Sequence, residues 1–531
     1  MTNRDRSFWG WGYADRFPDE TERRETAARL ERELGFPERP LLDPPTLADA
    51  TVPEPRVAPP PIDCCTAGRE ARIRHTYGRA YRDLVRGFHG DFGSAPDLVA
   101  RPRGEAEVAD LLAWATEAGV AVVPYGGGTS VVGGVEFGGG DDRFAGVVSL
   151  DTREMDRVLE VNDVDRTARI QAGATGPVLQ EQLAAHDLQL RHYPQSYEFS
   201  TLGGWVATRA GGHFATRYTH VDDFVQGVRA VTPAGTLETG GVPASGAGPD
   251  PNRFLLGSEG AFGVITGATL RVQPRPTHRS QATVRFDDWE AAVGATRAIV
   301  QARLSPAQCR LLDRNEAMLE EVAMDGSHVL LLGFESLDGP CDDDLARALA
   351  HCEQRGGTVS EGPTHRGPDD RDRGDESGYR SAFFEAPYRF NELVSLGVLV
   401  DTFETAVTWD RFPALHDAVR ERVLGTLVEV CGTGFVGCRF THVYPDGPAP
   451  YYTLLAPADV GRELEQWRAV KRAASEVLAD HDATITHHHA VGRVHREWYD
   501  EEVPDQFRRA LGAVKRTLDP EGIMNPGVLV D

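Results

Sequence analysis

Lysine is nearly absent from this 531-residue chain. Only Lys471 and Lys515 occur, each inside a Val-Lys-Arg triplet. Without a Gly-Lys-Ser/Thr run there is no Walker A phosphate loop. Neither lysine sits in a Gly-rich or apolar setting, which argues against Schiff-base or pyridoxal chemistry. Positive charge is scarce as a whole: 56 Lys and Arg against 81 Asp and Glu leave a net charge of −25. That excludes the broad cationic surface that nucleic acids and anionic membranes require. A local basic pocket for a phosphorylated small molecule stays open. The seven cysteines are odd in number and irregularly spaced, with no C-x-x-C, so no disulfide framework and no zinc or other metal site is expected. No stretch approaches the roughly 18 apolar residues of a membrane span, and the N-terminus has no apolar signal core. A reducing cytoplasm is the expected compartment. With 40% hydrophobic and 26% charged residues, the composition is that of a soluble globular protein of two or three domains.

Texture divides the chain. Residues 1–93 open with Phe8-Trp9-Gly10-Trp11-Gly12, followed by a charged helix over about 18–35 and a Pro-rich connector, Arg39 to Pro61, that reads as an extended strap. Residues 94–276 mix buried strands, such as Val120 to Pro124, with helices at 105–119 and 176–186 and with glycine-rich turns. Residues 277–460 alternate strand-like runs with helices in an α+β pattern, interrupted by an acidic loop at Gly367 to Gly378. The tail, 461–531, reads as a long helix, a strand at Ala483 to His488, another helix and a terminal strand.

Three glycine-rich segments stand out. Pro124, Tyr125, Gly126, Gly127, Gly128, Thr129 and Ser130 follow a strand. Three consecutive glycines let backbone N–H groups converge on one anion, and two hydroxyls add donors, which suits a pyrophosphate. The spacing is not that of a Rossmann turn. The second segment runs from Ser196 through Ser200, Thr201, Gly204, Thr208, Arg209, Ala210 and Gly211, with small residues that leave room for a flat ligand. The third is Glu259, Gly260, Ala261, Phe262, Gly263, Val264 and Ile265. Their order and spacing carry more than any one of them.

In that order the segments resemble the FAD-binding half of the vanillyl-alcohol-oxidase/p-cresol-methylhydroxylase superfamily, with its PCMH-type FAD domain. The N-terminal Trp-Gly-Trp-Gly, Cys309-Arg310-Leu311-Leu312-Asp313, Asp401-Thr402-Phe403-Glu404, Cys438-Arg439-Phe440-Thr441-His442, Tyr451-Tyr452-Thr453 and Thr486-His487-His488-His489 are similar to its alkyldihydroxyacetonephosphate synthase branch. The resemblance implies an α+β fold. A PCMH-type FAD domain of two subdomains would span 94–276, with a cap domain of antiparallel sheet over 277–460 and a tail, 461–531, that rejoins the FAD domain. It also implies non-covalent FAD, since neither 124–134 nor 196–212 contains a histidine that could tether it.

The implied activity is redox-neutral: acyl-dihydroxyacetone phosphate loses its fatty acid and gains a fatty alcohol, as in ether-lipid formation. Tyr451, preferred over Tyr452, is the expected acid/base, supported by His487, His488 and His489. Arg439 and Arg310 are the expected clamp for phosphate, because guanidinium grips an anion with two prongs. On a strand His488 would face opposite to His487 and His489. The alternative is a flavin-dependent 2-hydroxyacid dehydrogenase or oxidase of the glycolate or D-lactate type, its carboxylate held by the same cations. That alternative draws support from Asp519-Pro520-Glu521-Gly522-Ile523-Met524-Asn525-Pro526-Gly527. A flavin protein without catalysis is a third reading, opposed by the retained Tyr451, Arg439 and histidines. The expected partner is a small molecule, phosphorylated or carboxylate-bearing. A lipid substrate would bring peripheral membrane contact, and a homodimer is compatible with this reading.

Overall fold

The computed structural model describes residues 4–138, 142–214, 216–218, 220–368 and 378–531, with side chains from 385 onward in the last helix before the strand Val398–Glu404. Three larger sheets organise it. The first pairs Leu98–Ala100, Gly146–Asp151 and Val120–Tyr125 in parallel, with Cys65–Thr66 antiparallel at one edge. The second is antiparallel, in the order Val158–Asn162, Thr167–Gln171, Val264–Arg271, Val225–Thr232, Gly235–Glu238. The third is antiparallel with seven strands: Thr358–Arg366, His278–Phe286, His328–Ser336, Gln308–Leu312, Phe435–Val443, Pro448–Pro457 and Val398–Glu404. The expected α+β class and antiparallel cap sheet are therefore present.

Local chemistry accounts for the boundaries. Glu20–Leu34 starts at a capping box between Asp19 and Glu22 and stops at Gly35, which takes a left-handed conformation (φ 66°). Glu105–Ala118 ends the same way at Gly119. Strand His278–Phe286 alternates buried and part-buried residues along its inner half, as a one-sided strand should. Phe435–Val443 and Pro448–Pro457 are buried at every position. One face packs on helices such as Phe412–Cys431, and the other forms a cavity wall.

Two tail features differ from expectation. Residues 483–488 form no strand, because the backbone there bends around a buried carboxylate described below. The final residues make only a parallel bridge between Met524 and Val122. That bridge still returns the tail to the first sheet, with Val122 donating to the Ile523 carbonyl and Asn525 to that of Val122, both at 2.8 Å. Most of the acidic loop at 367–378 lies outside the described residues. The two lysines are buried pins. Lys515 ion-pairs with Asp519 and donates to the carbonyls of Ala261 and Met524, and Lys471 reaches Asp401 and the Thr402 carbonyl. Among the described residues no helix is long and apolar enough to cross a membrane.

Candidate active site

The glycine-rich segments and the cap sheet meet across one cavity of about 1380 Å³. It adjoins a second of about 630 Å³, and both are walled by Gly126, Ser130, Gly204 and Thr208. Gly126, Gly127 and Gly128 pass so close to their surroundings that side chains have no room. A Cβ on Gly127 would meet the Phe199 carbonyl at 2.1 Å, and one on Gly128, at φ +68°, the Tyr125 hydroxyl at 2.0 Å. Such a bare turn presents backbone to a ligand. Ser130 holds its own loop, accepting from Gly134 N at 2.9 Å. The second segment, from Thr201 on, is a short helix, Leu202–Thr208, which the sequence pattern did not suggest.

Most of the expected cofactor residues converge here. Gly126 to Ser130, Ser196, Ser200, Thr201, Ala210 and Gly211 face the larger cavity. Pro124, Tyr125, Glu259, Gly260, Gly263, Val264 and Ile265 face the smaller. Three do not reach either. Arg209 turns out to pair with Asp222 at 2.9 Å. Phe262 and Ala261 pack into a separate apolar cluster with the C-terminal residues Val528 and Val530.

Cross-strand register builds the opposite wall. Leu312 pairs with Arg439, Arg439 with Tyr451, and Tyr451 with Glu404. Because side chains alternate along a strand, Arg310, Arg439, Tyr451, Thr402 and Glu404 share one face. Tyr452 takes the other, stacked on Phe403 at 4.9 Å. A register irregularity between Phe440 and His442 lets Thr441 and His442 both line the cavity. Tyr451 donates to Thr402 Oγ1 at 2.9 Å, and the Arg439 guanidinium lies 4.0 Å from its ring centroid. Burial pushes the Tyr451 phenol up to about 12, although Arg439 works against this. Arg439 also pairs with the fully buried Glu316, so part of its charge is already matched. Arg310 is buried in the same wall.

The histidines depart from strand alternation. Glu404 accepts the backbone N–H groups of His487 (2.7 Å), His488 (3.1 Å) and His489 (2.9 Å), and the Thr486 hydroxyl (2.7 Å). Wrapping the loop around one carboxylate turns adjacent side chains toward the same cavity. His488 and His489 both line it, while His487 turns outward, bonded to the Tyr444 hydroxyl at 2.7 Å. Burial pushes Glu404 up, but His488, His489 and these donors hold it well below the usual carboxylate range. Burial lowers His489 to about 3 and keeps His442 and His487 well below 6.5, so these imidazoles are neutral at pH 7. Glu404 and His442 stood in quoted motifs, but their roles depend on register and were invisible. Arg79 and Trp11, which also line the cavity, gave no signal beyond the N-terminal Trp-Gly repeat.

Two family descriptions match this chain: an FAD binding domain over residues 96–241 and the FAD linked oxidases C-terminal domain over 275–529. Alkyldihydroxyacetonephosphate synthases from Dictyostelium discoideum and Trypanosoma brucei brucei are 30% and 29% identical to it, each over 87% of this chain and 77% of the relative. The chain belongs to the alkyldihydroxyacetonephosphate synthase family. A solved synthase, 25% identical, superposes with a TM-score of 0.80 over 98% of both chains. The glycolate oxidase subunit GlcD of Bacillus subtilis is 26% identical over 82% of this chain and 89% of its own length. The protein is thus an FAD-dependent enzyme acting on a small molecule. The glycine cradle, which presents backbone to the cavity and is held against Thr201, Phe199 and Tyr125 on its other side, fits the pyrophosphate of that cofactor.

Proposed function

We propose that this enzyme exchanges the fatty acyl group of acyl-dihydroxyacetone phosphate for a fatty alcohol without net oxidation or reduction. The observation that carries the proposal is the shared wall: Tyr451, Arg439, Arg310, His488 and His489 face one cavity opposite the glycine cradle. Gly126 to Ser130 would hold the FAD pyrophosphate, and the helix starting at Leu202 would lie against its flat ring. When bound, the flavin supplies an electron sink for the reacting substrate carbon.

The chain's own residues supply the rest. A phosphate dianion in a buried pocket needs cationic partners, and Arg310 and Arg439 are the cations of this wall. Tyr451 is fully protonated at neutral pH and acts first as an acid, delivering its proton to the leaving carboxylate. Arg439 over the ring then stabilises the phenolate. His488 and His489, with rings 6.2 Å and 5.5 Å from that of Tyr451, return a proton taken from the incoming alcohol. A cytoplasmic location, a homodimer and peripheral contact with a lipid surface belong to the same reading.

The test is anaerobic. Palmitoyl-dihydroxyacetone phosphate and hexadecanol should release palmitate with no acceptor consumed and no lasting bleaching of the flavin. The match to a glycolate oxidase subunit favours the second reading, a 2-hydroxyacid oxidoreductase. Rapid bleaching by glycolate or D-lactate, with no product from the lipid pair, would establish that reading instead.

A further inference from the structure

The histidine loop holds more imidazole than proton transfer at Tyr451 requires. One ring nitrogen each from His442, His487 and His488 lies within 4.8 Å of the other two. His442 comes from the strand Phe435–Val443, so no spacing in the chain could have shown a third partner to His487 and His488. We infer that these three side chains bind a divalent transition-metal ion of the zinc class, and that the bound ion closes the cavity to chemistry.

The geometry is that of ligands awaiting an ion. His487 Nδ1 and His488 Nδ1 are 3.1 Å apart and share a hydrogen bond that a bound ion would replace. Two ligands of a tetrahedral ion with bonds of about 2.0–2.1 Å sit about 3.3 Å apart. The other nitrogens are held from outside. His442 Nε2 is 3.3 Å from the Gly212 carbonyl, and His487 Nε2 is 2.7 Å from the Tyr444 hydroxyl. A carbonyl only accepts, so His442 carries its proton on Nε2 and its lone pair on Nδ1. That Nδ1 is buried and has no hydrogen-bond partner among the described residues. An imidazole fixed by an outer acceptor, with the opposite nitrogen open, is the usual arrangement around a bound metal.

Charge agrees. The buried Glu404 carboxylate, 3.4 Å from His488 Nδ1, is paired with imidazoles and N–H groups but with no Arg or Lys among the described residues. A dication beside it is compensated. Arg310 and Arg209 face the cluster from other sides, which weakens binding and suits a reversible site. Three imidazoles select zinc, copper, nickel or cobalt over magnesium or calcium and leave one position for water. His488 walls the cavity beside Tyr451, so an ion on its lone pair removes it from proton transfer.

The binding claim is independent of the proposed exchange reaction, whereas closure of the cavity rests on it. The FAD-loaded full-length enzyme, stripped with a chelator, is titrated with Co²⁺ and followed by visible absorption. One equivalent should give tetrahedral cobalt bands that Zn²⁺ abolishes and Mg²⁺ does not. His442→Ala and His487→Ala should each weaken binding by at least about tenfold, and His186→Ala, at an exposed histidine, should leave it unchanged. Flavin absorbance and thermal midpoint report folding of each variant, and His487→Asn serves should His442→Ala fail to fold. Zn²⁺ should suppress turnover of the lipid pair, and chelator should restore it. Absence of stoichiometric Co²⁺ binding, or equal binding by the His442 and His487 variants, overturns the site. Full turnover with the site loaded overturns closure.

Discussion

Tyr451 and Tyr452 are neighbours with the same side chain, and only the pleat separates their uses. Tyr452 is sealed among Phe403 and His416 on the helix side. Tyr451 opens on the cavity under Arg439. Tyr451→Phe removes one hydroxyl and its bond to Thr402, so FAD content should hold while turnover falls roughly 10²–10⁴-fold. Near-normal turnover would move the acid/base elsewhere. Arg439 has a second duty that its motif did not reveal. Arg439→Met would leave Glu316 buried and unpaired, at about 3–5 kcal/mol. Urea denaturation should show that loss, and adding Glu316→Gln should recover part of it.

Glu259 is the residue whose titration should be visible. Burial raises its carboxyl to about 7, partly offset by the N–H groups of Val491 and Gly492 at 2.9 Å and 2.7 Å. The folded state therefore holds this proton more tightly than the unfolded chain. Its contribution is fully present below the unfolded value of 4.5 and is lost as pH rises through 7, about 3 kcal/mol in all. Asp313 titrates in the same range and the buried neutral histidines contribute with opposite sign, so the readout is a difference: the stability of the wild type relative to Glu259→Gln, from denaturation between pH 4 and 8, should fall by that amount as pH rises. An equal decline in the variant would assign the effect to another group.

At the scale of elements, the loop 486–492 hangs between two buried carboxylates. Glu404 of the cap sheet takes the N–H groups of 487–489, and Glu259 of the glycine-rich segment takes those of 491 and 492. Neither contact follows from local pattern, which is why 483–488 reads as a strand and is not one. The glycine segments were legible because a cofactor cradle is contiguous in sequence. The opposite wall was legible only as residue types. Arg310, Arg439, Tyr451 and Glu404 are far apart in the chain and share a face only through register. Tertiary hydrogen bonds overrode period-two alternation, and that revises the expected division among the histidines. His488→Ala and His489→Ala should impair turnover strongly. His487→Ala should be mild when metal is excluded by chelator. Steady-state rates of the three variants decide it, and His487→Ala and His489→Ala behaving alike, with His488→Ala in the opposite class, would restore the strand picture.

Over the whole molecule, the N-terminal segment, residues 4–17, connects both halves of the site. Trp11 donates to Asn391 Oδ1 at 2.7 Å and its carbonyl accepts from Asn391 Nδ2 at 2.8 Å, which fastens residues 4–17 to the helix before Val398. Gly10 and Gly12 make the approach possible. A Cβ on Gly12, at φ +69°, would lie 2.2 Å from the Tyr388 ring. From this anchor Arg6 reaches the cofactor side, donating to the Gly127 carbonyl at 2.9 Å, and Trp11 itself lines the cavity. The Trp-Gly-Trp-Gly run is thus a tie between cap helix and glycine cradle rather than part of either. Asn391→Ala deletes two buried hydrogen bonds, each worth about 1 kcal/mol. Loss of roughly 2 kcal/mol through the tie should weaken FAD retention by about tenfold or more, since about 1.4 kcal/mol is tenfold in binding. The cavity wall at Tyr451 is untouched by this change, so turnover per bound flavin should stay near normal. Flavin occupancy after dilution, measured beside turnover per flavin, separates the two effects. Unchanged retention would show that the N-terminal segment covers the cradle without holding it.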